Sequence, residues 1–166
     1  MKRIILLVLS ITILLVSCAQ ETQDADNVVV KQSDMWRVEF IEAEIAESLT
    51  ASIAALTYSG DLQETEAQIV PGSGNVFLLL HLTIEKIGTG KAVFSWDDAY
   101  VEDNKGNVFF RMENDTFLQN LNIPRMKRTD IVFGSDTGYV CFEIPMESSG
   151  LRFVADNGNI IIAVAI

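Results

Sequence analysis

The sequence predicts an all-β sandwich of seven to nine short antiparallel strands, with one long loop and room for a short helix. Three observations lead there. Apolar and polar residues alternate over short runs, the period-2 signature of half-buried strands. Gly-, Asn- and Asp-rich turns punctuate those runs. At 166 residues and 49% apolar composition, the chain is long and greasy enough to bury one sizeable core without disulfides, and it has only two cysteines.

The first element is not part of the fold. Residues 1–17 read as a targeting segment: Lys2 and Arg3 form a positive start, and in the 13 residues from Ile4 to Val16 only Ser10 and Thr12 are not apolar. As a helix this stretch would span about 20 Å, short of the ~30 Å hydrocarbon core of a bilayer and suited to a signal peptide. Leu15-Val16-Ser17-Cys18 resembles the lipobox of bacterial lipoproteins. That resemblance implies lipidation at Cys18, cleavage just before it, and a membrane anchor facing the extracytoplasmic side. Each buried methylene adds roughly 0.8 kcal/mol, so two or more acyl chains hold firmly. Cleavage removes Lys2 and Arg3 and no acid, leaving 10 basic and 23 acidic side chains, net −13. Such a surface is repelled by anionic headgroups and makes a poor nucleic-acid binder.

Residues 18–34 read as a flexible tether, polar and acidic at the start, with order expected from near Trp36 and a domain over 35–166. Trp36, Val38 and Phe40 alternate with Arg37 and Glu39, a strand running to about Ala46. Ile41, Ile45, Leu49 and Ile53 recur every four residues, so 47–57 reads as a short helix or a second strand. Gly60-Asp61 and Pro71-Gly72-Ser73-Gly74 are turns. Asn75 to Ile87 is the clearest strand. Val76, Leu78, Leu80, Leu82 and Ile84 form one apolar face, while Phe77, Leu79, His81, Thr83 and Glu85 grade from apolar to polar. That pattern fits a central strand with one face in the core and the other partly covered. Short strands follow at 92–96, 99–101 and 107–112, the last after the Asp103-Asn104-Lys105-Gly106 turn. Residues 113–132 form a long loop containing Pro124. Gly138, Val140, Phe142 and Ile144 mark another strand, and 151–166 a final hairpin turning at Asp156-Asn157-Gly158.

Several runs resemble an immunoglobulin-like domain of unknown function that is common in Gram-positive extracellular lipoproteins. They are Phe77-Leu78-Leu79-Leu80 with Leu82-Thr83-Ile84, Phe94-Ser95-Trp96-Asp97, the stretch from Tyr100 to Asn107, Asp115-Thr116-Phe117-Leu118, and Phe133-Gly134 through Pro145. The resemblance covers roughly half the mature chain. It implies an immunoglobulin-like β-sandwich outside the cell and no catalytic residues.

Candidate sites are few. His81 is the only histidine and lacks a nearby nucleophile pattern, so it reads as a packing or surface residue. Cys141, left without a partner once Cys18 is acylated, reads as a buried inert thiol. Asp97, Asp98, Glu102 and Asp103 cluster in sequence as an alternative calcium site, against the plainer reading of a solvated acidic edge. Arg125, Lys127 and Arg128, with Arg111 before them and Phe117 nearby, make a local charge reversal in an acidic domain. Two readings stay open: a patch for an anionic partner, or internal ion pairs pinning the long loop. The expected function is a lipid-anchored interaction module recognising a protein or envelope component through sandwich-end loops. A structural accessory lipoprotein without a ligand is the alternative. No enzyme, cofactor, metal or nucleic-acid partner is expected.

Overall fold

The computed structural model describes residues 28–166, apart from residues 57, 59, 114, 116, 122 and 127–129. The targeting segment 1–17, Cys18 and the first part of the tether lie outside the described residues. The strands are β1 (Val29–Gln32), β2 (Trp36–Ala46), β3 (Leu49–Leu56), β4 (Leu62–Ile69), β5 (Asn75–Lys86), β6 (Tyr100–Glu102), β7 (Val108–Phe110), β8 (Ser135–Pro145), β9 (Arg152–Ala155) and β10 (Ile160–Ala163). One short helix, α1, spans Phe117–Asn120. The fold is an all-β sandwich, built from a long sheet in the order β1-β2-β5-β8 and a short one in the order β10-β9-β6-β7, both antiparallel. β3 and β4 form a separate hairpin.

β5 occupies the centre of the long sheet, as its two faces require. Val76, Leu78, Leu80, Leu82 and Ile84 join Trp36, Val38, Phe40, Val140 and Phe142 against Val101, Phe153, Ile160 and Ile162 of the short sheet. Each such side chain contributes about 1.5–3 kcal/mol on burial. On the opposite face Phe77, Leu79 and Cys141 start a second, smaller core, closed by Leu49, Phe117 and Leu118. The polar remainder of that face, from His81 to Glu85, is left toward solvent because this cover stops short of it.

Three boundaries differ from the sequence reading. The first strand among the described residues begins at Val29, ahead of Trp36: Val29 to Gln32 pair with Phe40 to Arg37. All four residues of β1 are exposed, so no alternation announced it. The four-residue recurrence from Ile41 to Ile53 is not helical. A bulge between Phe40 and Glu42 moves the inward set from even to odd positions, and a turn separates β2 from β3. The expected strand at 92–96 reduces to a bridge between Phe94 and Ile131, followed by a 3-10 turn at Trp96–Asp98.

Candidate functional site

Asp115 organises the long loop. Its carboxylate has no exposed surface and accepts from Arg111 Nε at 2.9 Å, Arg111 Nη2 at 2.7 Å and Arg125 Nη1 at 2.6 Å. Arg111 also donates to the Met126 carbonyl at 2.7 Å and lies 4.5 Å over the Trp96 ring. The Arg111 and Arg125 side chains are only 5% and 14% exposed. Phe117 is buried as well, tilted against Phe77. These three candidate contact residues are therefore internal. Desolvated guanidiniums need a carboxylate, and one buried aspartate serves both. Lys127 and Arg128 lie outside the described residues.

The same network ties the loop to the edge of β8. Met112 and Met126 donate to the Cys141 and Tyr139 carbonyls, and Tyr139 donates back to Pro124. Gly138 makes that approach feasible: a Cβ there would meet the Met126 nitrogen at 2.6 Å and the Pro124 oxygen at 2.8 Å.

The other candidates are also accounted for. His81 stacks on Tyr139 at 4.4 Å, and both reach Glu42 Oε1, His81 through Nδ1 at 3.3 Å and Tyr139 by donating its hydroxyl. Cys141 is fully buried, and that burial, with Asp115 and Glu143 nearby, pushes its thiol up to about 12. The four acids of the calcium alternative are split. Asp97 and Asp98 sit in the 3-10 turn before β6, Glu102 pairs with Arg152 at 3.2 Å, and Asp103 lies past the far end of that strand. Asp103 accepts from the Lys105 and Asn107 amides and from Asn107 Nδ2, closing its own hairpin. Among the described residues no group of three or more His, Cys, Asp or Glu could hold a metal.

What the sequence did not single out is the end of the sandwich where β5 finishes and β2 and β8 begin. One cleft runs there from Asp130 to Asp136, and another lies between Lys86 to Gly90 and Val132 to Gly134. Between Asp130 and Asp136 the chain turns outward, leaving Val132 50% and Phe133 86% exposed. The loop is nonetheless pinned. Ile131 and Phe94 exchange two backbone hydrogen bonds, the Lys86 amide donates to Gly134, and Lys86 Nζ donates to the Ala92 and Val132 carbonyls at 2.6 and 2.8 Å. Gly134, with φ of 72°, takes the left-handed turn after the phenylalanine. The only sequence trace was the Phe133-Gly134 pair beside a strand, which reads equally well as an ordinary turn.

Fold and site together define a β-sandwich with a doubly covered central sheet and a cleft-bearing loop end. No known family matches the chain, and no curated protein matches it. It is similar in structure to a conserved hypothetical protein from Bacillus anthracis, with a TM-score of 0.53 and 10% identity, over 85% of this chain and 95% of that one. Two looser likenesses are to a lipoprotein candidate (ycdA) from Bacillus subtilis and an uncharacterized β-sandwich protein from Clostridium difficile. The first has a TM-score of 0.47 at 11% identity, covering 85% of this chain and 39% of that one. The second has 0.41 at 15% identity, covering 78% and 85%. At such identities the first likeness shows the fold alone. No helix among the described residues is long and apolar enough to cross a membrane.

Proposed function

We propose that this chain is a lipid-anchored, extracytoplasmic interaction module, held through Cys18 and akin to the immunoglobulin-like lipoprotein domains its sequence resembles. It meets a protein partner through the loop 130–136. One observation carries the reading: a phenylalanine is held outward by a hydrogen-bonded frame. Exposing Phe133 gains the folded monomer nothing. A rigid aromatic at a loop tip, however, binds without losing the freedom that a mobile one would surrender. Strand direction supports it too. β1 runs toward this end, so the chain enters the domain from the side leading away from the loop. The reading assigns no catalytic residue.

The test places a photo-crosslinking amino acid at position 133 of the full chain in intact cells, with position 146, at exposed Met146 beyond the opposite end of β8, as the control. A discrete adduct from 133 and none from 146 is expected. Equal or absent adducts from both positions would leave a structural accessory lipoprotein without a ligand.

A further inference from the structure

The 130–136 loop forms one wall of a longer groove, and the chemistry of that groove names a class of partner. A cleft of about 660 Å³ is lined by Trp96, Asp97, Phe110, Arg111, Glu113 and Asp130. A second, of about 330 Å³, runs from Asp130 to Asp136 along Val132 and Phe133. Asp130 belongs to both, so the two form one trough with an exposed aromatic toward each end, Phe110 at 60% and Phe133 at 86%.

Among the described residues the charges in it have one dominant sign: Asp97, Glu113 and Asp130 are exposed on its walls. Arg111 lies at the floor, held by Asp115 and the Met126 carbonyl, so its charge is already matched. Trp96, only 8% exposed, also lines the trough, and its indole Nε1 is buried with no hydrogen-bond acceptor among the described residues.

We propose that the trough receives an extended, basic segment of a partner protein. Its lysine or arginine side chains face the carboxylates, and its apolar side chains pack on Phe110 and Phe133. This rests on the docking role of the 130–136 loop and reverses the sign of partner that the basic residues of the long loop suggested.

The test uses the lipidated full chain in detergent and a synthetic peptide alternating lysine and valine, with a glutamate–valine peptide beside it. The lysine peptide binds and shifts the Trp96 indole signal in NMR spectra; the glutamate peptide does not. Combining Asp97→Asn, Glu113→Gln and Asp130→Asn weakens binding about tenfold, the scale of three exposed ion pairs lost together. Combining Glu44→Gln, Glu66→Gln and Glu147→Gln, which neutralises exposed acids outside the trough, changes it less than about twofold. Equal losses from both acid triples, an unmoved Trp96 signal, or preference for the glutamate peptide would overturn the proposal. Crosslinking from position 133 alongside any of those results would retain the docking loop and discard only the chemistry assigned to the trough.

Discussion

Replacing Asp115 by alanine tests the keystone assigned to the long loop. The aspartate has no exposed surface and accepts three hydrogen bonds of 2.6–2.9 Å from two guanidiniums. Hydrogen bonds to charged groups contribute about 1.5–3 kcal/mol each. Their simple sum overshoots. Arg111 keeps the Met126 carbonyl and the Trp96 face, and Arg125, at 14% exposure, has some access to water. Removing one side of a buried pair costs about 3–5 kcal/mol, and we expect Asp115→Ala to fall in that range. Urea unfolding followed by tryptophan fluorescence reads it as a lower midpoint at constant slope. The triple variant Asp115→Leu, Arg111→Met, Arg125→Met removes charge and partner together and is expected to recover most of the loss. A loss below about 1 kcal/mol for Asp115→Ala, the size of an exposed pair, would refute the argument.

Three further outcomes follow from the geometry. Gly138→Ala forces a methyl into backbone atoms at 2.6–2.8 Å and is expected to cost about 1–3 kcal/mol, with amide exchange rising at Met126 and Tyr139 in hydrogen-exchange NMR. Cys141, its thiol pushed up to about 12, should resist iodoacetamide at pH 8 in the folded chain and react fully in urea, as read by mass spectrometry. Tyr139 is held above its ordinary 10.0 by burial and then by Glu42, so the unfolded chain loses this proton first. Its contribution is therefore complete below about pH 10 and falls above it, and Tyr139→Phe should flatten the alkaline decline of Tm. Glu42, held below 4.5 chiefly by the Tyr139 and His81 hydrogen bonds, has the opposite sign: its contribution is lost as pH falls through the acid range.

Most of the fold is legible in the long alternation of β5. One face was wholly apolar and the other only partly so, and the structure places a full core on the first and a partial one on the second. β4 was missed. Its Leu-Gln-Glu-Thr-Glu-Ala-Gln-Ile shows no sustained apolar alternation, and it pairs with β3 in a two-stranded hairpin outside both sheets. β2 was placed but its inner register was not, since a single bulged residue reverses every inward position after it. At the candidate site the sequence raised the right pair of alternatives for Arg111 and Arg125. It could not choose, because ion pairing depends on Asp115 being carried inward beneath β8. The Phe133-Gly134 pair marked a turn but not an exposed ring, since whether a lone phenylalanine faces solvent or core is set by the loop's backbone.

The account rests most heavily on an anchored sandwich standing outside the cell. Metabolic labelling with an alkyne fatty acid, combined with protease treatment of intact cells, addresses that directly. The wild-type chain should carry the label, sediment with membranes and be digested from outside, while Cys18→Ala should carry none. Label retained by Cys18→Ala, or a wild-type domain protected from protease until the membrane is opened, would contradict it.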